Sequence, residues 1–258
     1  MTQQKLKGRL AIITGASRQV GIGAATARAL AALGADILIV YWSQYDELSP
    51  ANLRELEPIQ LQQELQAMGV TCERLEVDLA HPTAYKQVLD AASQLGKPQI
   101  LINNACYSTN DGLESLDADI LDRHYEINVR ATTLLTAEFA RRFDLPEGGR
   151  VISLTSGQSL GPMYTEIAYA ITKGTIETLT TTLAPPLAQK GITINAVNPG
   201  PTDTGWMTPD LEKALLPQFP FNRIGKPEDA ARLIAFLATD EAAWITGQII
   251  HSEGGFQR

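Results

Sequence analysis

Tyr169-Ala170-Ile171-Thr172-Lys173 sets a phenol and an ammonium four residues apart. On a helix, side chains at that spacing share a face. A free phenol titrates near pH ~10, and a neighbouring cation lowers that value. Such a pair can exchange a proton with an alcohol or a carbonyl oxygen near neutral pH. A plain surface pair has the same pattern, so the elements around it decide.

Those elements put other polar groups at one edge. The run Arg150-Val151-Ile152-Ser153-Leu154-Thr155 reads as a strand that delivers Ser156 at its C-terminal end. An earlier strand delivers Asn103-Asn104-Ala105 at the same edge, and Asn128 lies on the helical segment between. Ligands of open α/β sheets bind at that edge. Strand patterns cover 9–14, 36–41, 71–77, 99–103, 150–155, 193–197 and 248–251; the first six read as continuous apolar runs or nearly so. Helical patterns cover 21–33, 59–68, 83–95, 117–143, 169–189 and 227–239, several of them stopped by a glycine such as Gly34, Gly69, Gly96 or Gly191. The alternation predicts an α/β fold: a Rossmann-type, doubly wound, mostly parallel seven-stranded sheet with helices on both faces, built as a single domain. Two segments exceed that plan. Residues 42–58 are polar, with Asp46, Glu47, Glu55 and Glu57 against Arg54, and read as a solvated insertion or a lid. Residues 199–223 are punctuated by proline and hold Trp206, Met207, Phe219 and Phe221, as a substrate loop would.

Between the first strand and first helix lies TGASRQVGIGAA. A glycine-rich turn there aims backbone N–H groups and the positive end of the helix dipole at one spot, suited to a pyrophosphate. Five residues separate Gly15 from Gly21, which matches no common template, so a merely tight turn is the competing reading. An acid at the end of the second strand would bind the ribose 2′-hydroxyl of NAD. Tyr41, Trp42 and Ser43 stand there instead, which permits NADP, with Arg18 and the Ser43 hydroxyl available to its 2′-phosphate. Arg18 is otherwise an ordinary surface arginine.

Composition bounds the partners. With a net charge of −8, the chain offers no basic stripe for nucleic acid and no attraction to an anionic membrane. The N-terminal apolar run is too short for a signal-peptide core, so the expectation is a cytoplasmic protein. Cys72 and Cys106 are the only cysteines, and His81, His124 and His251 are scattered, so no metal site is expected.

In that combination the sequence resembles the short-chain dehydrogenase/reductase family over nearly its whole length. TGASR…GIG is similar to its cofactor turn, NNA to its sheet-stabilising motif and NVRA to the helix carrying its asparagine. Ser156 lies thirteen residues before Tyr169, YAITK matches Tyr-x-x-x-Lys, and Pro199-Gly200-Pro201-Thr202-Asp203-Thr204 matches the loop over the nicotinamide. The stretch from Arg223 to Gly255 is similar to the family's C-terminal region. The resemblance implies Tyr169 as general acid/base and Lys173 as the residue that lowers its pKa and holds the nicotinamide ribose. It implies Ser156 as a hydrogen bond to the substrate oxygen and Asn128 as the holder of a water. Cofactor contacts implied are Gly15, Ser17, Arg18, Gly21, Ile22, Gly23, Tyr41, Ser43, Asp78, Leu79, Asn104, Ala105, Tyr169, Lys173, Pro199, Gly200, Thr202 and Thr204. NADP(H) is preferred over NAD(H).

Three departures stand out. Gln19-Val20 lengthens the turn and reads as a bulge. Cys106 replaces the glycine usual after Asn-Asn-Ala and reads as a packed small residue or a reactive thiol. The 42–58 connection is long. The expected activity is reduction of a small-molecule carbonyl or an acyl-thioester, by a homotetramer. A 3-oxoacyl-[acyl-carrier-protein] reductase would need a basic patch for its acidic carrier, with Arg130, Arg141 and Arg142 as candidates. A non-catalytic NADP-binding regulator is the reading from another class. Trp206, Met207, Phe219, Phe221, Met163 and Tyr164 suggest an apolar substrate pocket or ordinary loop packing.

Overall fold

The computed structural model describes residues 4–45 and 56–258. Among these, seven strands form one sheet: β1 (Leu10–Thr14), β2 (Asp36–Tyr41), β3 (Cys72–Glu76), β4 (Pro98–Asn103), β5 (Gly149–Leu154), β6 (Ile192–Asn198) and β7 (Ile249–His251). Their order is β3-β2-β1-β4-β5-β6-β7, and every neighbouring pair is parallel. The helices are α1 (Ile22–Ala32), α2 (Leu56–Ala67), α3 (Ala84–Leu95), α4 (Ala118–His124), α5 (Thr132–Arg142), α6 (Ile167–Ala188), α7 (Pro209–Leu215) and α8 (Pro227–Ala238). The chain reverses direction across the sheet between β1 and β4, which opens a crevice at the C-terminal ends of those strands.

Strand residues alternate between two cores. Ala11, Ile13, Ile37, Ile39, Ile100 and Ile102 pack with Ala24, Ala27 and Leu30 of α1, Leu61 and Leu65 of α2, and Ile234 and Leu237 of α8. Leu10, Ile12, Leu38, Val40, Leu101 and Val151 pack with Val88 and Leu89 of α3, Leu135 and Phe139 of α5, and Leu187 of α6. A fully buried Leu or Ile contributes about 1.5–3 kcal/mol. Strands filled with such residues on both faces are therefore held firmly, and their C-terminal ends are rigid mounts for polar groups. The alanines of α1 let that helix lie close to the sheet and to α8.

The structure corrects the sequence-based expectations at four places. β3 is not a continuous apolar run. It is the edge strand, and Glu73, Arg74 and Glu76 face outward from it. The predicted helix over 117–143 is three pieces: α4, a π-helical stretch at Tyr125–Ala131, then α5. α6 begins at Ile167, two residues before Tyr169. The loop over 199–223 contains α7, capped by Thr208, whose Oγ1 accepts from the Leu211 N–H at 3.2 Å. Of the 42–58 insertion, 46–55 lie outside the described residues; Ser43–Tyr45 form a 3₁₀ turn and 56–58 open α2.

Candidate functional site

The crevice is built on an interlock between the β1–α1 turn and the end of β4. Asn104 Nδ2 donates to the carbonyls of Thr14 and Gly15, both at 2.9 Å. Thr14 Oγ1 accepts from the N–H groups of Asn104 and Ala105 at 3.0 and 3.1 Å. Gly15 has φ +70°. A β-carbon on it would meet Ala105 Cα at 2.7 Å; one on Gly23 would meet the Gly15 carbonyl oxygen at 2.6 Å and Asn104 Nδ2 at 2.8 Å. These glycines are thus required by the protein's own packing. Gly21 is the N-cap of α1, with no side-chain cap among the described residues and no acid in the first turn. The first N–H groups of this helix, together with its dipole, therefore suit an anion, and a dinucleotide's pyrophosphate fits this cradle.

Gln19 and Val20 lie in a turn closed by the Gly21 N–H on the Arg18 carbonyl at 3.1 Å, and this turn is anchored. Glu57 Oε2 accepts from the Gln19 N–H at 2.5 Å, and Arg28 Nη1 donates to the Gln19 carbonyl at 2.9 Å. The longer turn and the start of α2 thus hold each other. Val20 reaches across to Gly205 of the 199–223 loop, where a β-carbon would stand 3.5 Å from its Cγ2.

At the end of β2 the side chains are already engaged. Tyr41 is buried, and its hydroxyl accepts from Arg74 Nη1 at 2.9 Å. Ser43 donates its N–H at 3.2 Å and its hydroxyl to Glu76, a carboxylate that arrives from β3, where Glu76 pairs in register with Tyr41. Glu76 thus brings a carboxylate from the next strand to Ser43, a contact that only the register reveals. Asp78 Oδ1 accepts from the Ala80 N–H at 2.9 Å, and Leu79 is buried.

Across the crevice, the four residues singled out in the sequence converge. Lys173 is buried, its Nζ donates to the Leu154 carbonyl at 2.8 Å, and it lies 5.5 Å from the centre of the Tyr169 ring. Ser156 stands beside the Tyr169 phenol and acts to lower its pKa. Asn128 sits in the π-helical stretch; its Nδ2 donates to the Tyr107 carbonyl at 2.8 Å and to Thr172 Oγ1 at 3.0 Å, and its Oδ1 accepts from the Tyr107 N–H at 2.7 Å. Single π-turns inside helices recur at functional sites. Pro199, Gly200, Thr202 and Thr204 follow β6 at the same edge; Asn198 Oδ1 accepts from the Gly200 N–H at 2.9 Å.

One electrostatic expectation is reversed. Burial, then the Cys106 thiol, push the Tyr169 phenol well above its ordinary range; Ser156 opposes this, and Glu166 and Tyr45 add to the rise. Lys173 is not among the groups that set this balance, and its ammonium donates to the Leu154 carbonyl. Its pull falls on Cys106 instead. Burial raises the Cys106 thiol, while Lys173 and Asn128 draw it down. Cys106 therefore stands inside the site, with its Sγ 3.4 Å from the Tyr107 carbonyl.

Asp111 was not visible as a site residue. It is buried, and its carboxylate accepts from the N–H groups of Ile167 and, at 3.0 Å, Ala168. A carboxylate from a distant segment thus caps the helix that carries Tyr169 and Lys173. The apolar pocket expected from the sequence is only partly assembled. Phe219 is buried against Phe256 with ring centres 4.9 Å apart, whereas Tyr164 and Phe221 are exposed. The three arginines offered as a carrier patch are neutralised: Arg130 by Glu126, Arg141 by Glu138, and Arg142 by Glu138 and Asp90. No group of three metal-ligating side chains occurs among the described residues.

The family described as Enoyl-(Acyl carrier protein) reductase matches residues 15–257. A short-chain dehydrogenase/reductase of Serratia marcescens has a solved structure that superposes with a TM-score of 0.86 at 32% identity, covering 98% of this chain and 100% of that one. This chain belongs to the short-chain dehydrogenase/reductase family. Among family relatives, the "Uncharacterized oxidoreductase YjdA" of Bacillus subtilis is 51% identical over 253 residues, 97% of both chains. An "NADPH-dependent aldehyde reductase-like protein, chloroplastic" of Arabidopsis thaliana is 36% identical, over 97% of this chain and 95% of that one. The protein is an oxidoreductase of this family, and no helix among its described residues is long and apolar enough to cross a membrane.

Proposed function

We propose that this oxidoreductase reduces the carbonyl of a small molecule with NADPH, with Tyr169 as the proton donor. The observation that carries this reading is the convergence of Ser156, Tyr169 and Lys173 at the strand ends, across the crevice from the uncapped start of α1. When bound, the nicotinamide supplies a hydride to the carbonyl carbon. The Ser156 hydroxyl donates to the substrate oxygen as negative charge gathers there. Tyr169 passes its phenolic proton to that oxygen. A phenol is protonated at neutral pH, as the donor must be, and the alkoxide that forms on the substrate is the stronger base. Lys173, its Nζ on the Leu154 carbonyl beside the Tyr169 ring, would hold the nicotinamide ribose hydroxyls. Asn128 Oδ1 has a second lone pair to offer a water. Arg18, Ser17, Gly21, Ile22 and Gly23 hold the phosphates, with Asp78, Leu79 and Ala105 along the adenosine and Pro199, Gly200, Thr202 and Thr204 along the nicotinamide. Arg18 is the group that favours NADP(H) over NAD(H), and the NADPH dependence named for the Arabidopsis relative supports that preference. The neutralised arginines weigh against an acyl-carrier-protein substrate. The family resemblance alone carries the proposal of a homotetramer, and the composition that of a cytoplasmic location.

A panel of ketones, aldehydes, sugars and 3-oxoacyl thioesters tests the reading by NADPH oxidation. Turnover of at least one carbonyl is expected. Tight NADPH binding with no turnover across the panel would favour a non-catalytic cofactor-binding protein.

A further inference from the structure

The turn that follows β5 and carries Ser156 is braced from two sides. On one side, Gln158 Nε2 and Ser159 Oγ donate to Glu177 Oε1 at 2.7 and 3.1 Å. Glu177 lies one helical turn beyond Lys173 on α6. On the other side lies Arg258. A β-carbon on Gly157 would collide with its guanidinium, with Cζ at 2.8 Å, and one on Gly161 would meet its Cδ at 2.8 Å. The two glycines leave the channel through which this side chain runs. Glu253 grips the guanidinium with both carboxylate oxygens, at 2.6 and 3.2 Å. Glu253 Oε2 also accepts from Asn198 Nδ2 at 3.0 Å. Its Cα would stand 3.0 Å from a β-carbon on Gly200, a position held at φ +65°. Only 22% of the Arg258 side chain and 12% of the Glu253 side chain are exposed. Exposed ion pairs are worth little, but a two-pronged, mostly buried one is stiff and directional. Burial would raise the Glu253 carboxyl, but Arg258, Asn198 and His251 together hold it below its usual range.

We infer that Arg258 and Glu253 form a strut that positions Ser156, tying the turn that presents its hydroxyl to the loop after β6. Neither residue needs to touch the substrate. Arg258 acts through Gly157 and Gly161, and Glu253 acts through Asn198 and Gly200. The inference rests on the carbonyl-reductase reading for the value of Ser156, though the strut itself can be measured without it.

The test uses the full chain with NADPH and its best carbonyl. R258A is expected to lower kcat by about 10- to 100-fold, the cost of a misplaced catalytic group, with the KM for NADPH within about twofold of wild type. R258K restores part of the loss. In an S156A background the same R258A change costs less than about twofold, because the group it positions is gone. Equal fold losses in both backgrounds, or a rise in carbonyl KM at unchanged kcat, would overturn the inference. Hydrogen exchange separates the strut from the activity. R258A and E253Q should each speed amide exchange in 157–161 and in 198–202. A change confined to 253–258 overturns the strut. If no carbonyl in the panel is reduced by the wild type, the reductase reading fails while hydrogen exchange still decides the strut.

Discussion

Replacing Asp111 with alanine should unseat the start of α6. Its carboxylate takes the Ile167 and Ala168 N–H groups, immediately before Tyr169, and only 5% of the residue is exposed. A hydrogen bond to a charged group contributes about 1.5–3 kcal/mol, while an ordinary helix cap contributes about 0.5–2 kcal/mol. Two such bonds with little water to replace them make about 3 kcal/mol a conservative loss. At roughly 2–4 °C per kcal/mol for a chain of this size, D111A should melt about 6–12 °C below wild type. D111N keeps one acceptor but turns an NH₂ toward the other donor, so it should lose at least half as much. The assay is thermal unfolding by circular dichroism at matched protein concentration. Carbonyl turnover should fall as well, because the first turn of α6 aims the phenol. A D111A protein that melts within about 2 °C of wild type would show that the capping argument is wrong.

Other substitutions probe separate parts of the account. Glu76 takes the hydroxyl of Ser43, a residue proposed to face the 2′-phosphate. E76Q should therefore tighten NADPH relative to NADH by about three- to tenfold, the effect of one solvated charge; an unchanged ratio in fluorescence titrations would remove Glu76 from cofactor choice. Cys72 is fully buried, and burial pushes its thiol from 9.0 up to about 12. The folded state therefore holds its proton longer than the unfolded chain does. That contribution is fully present below pH 9.0 and is lost as pH rises toward about 12. Its ceiling is about 4 kcal/mol for a shift of that size. Urea midpoints of wild type should fall over that window more steeply than those of C72A, and parallel pH curves would refute the assignment.

Much of this was legible in the chain itself. Buried strands such as LAIIT, DILIVY and VISL carry their two-faced burial in their composition, and Gly34, Gly69 and Gly191 stop the elements where positive φ is needed. Tyr169, Lys173 and Ser156 could be placed because helical spacing and a strand end fix them locally. What stayed hidden depends on contacts between distant segments. No local pattern announces that Asp111 caps α6, that Glu76 reaches Ser43 through the β2–β3 register, or that Arg258 fills the space beside Gly157. The π-helical stretch at Tyr125–Ala131 is hidden for another reason: one residue more per turn leaves the helical periodicity of the sequence almost unchanged. Spacing shows that Lys173 is near Tyr169, but not how deeply the phenol is buried or that the Leu154 carbonyl takes the ammonium.

The most direct test of the whole account is Y169F, with cofactor affinity and turnover measured on the same protein. The account predicts NADPH affinity close to wild type and carbonyl reduction lower by about 10³-fold or more, since only the acid is removed. A phenylalanine variant that retained more than about a tenth of wild-type turnover would contradict it.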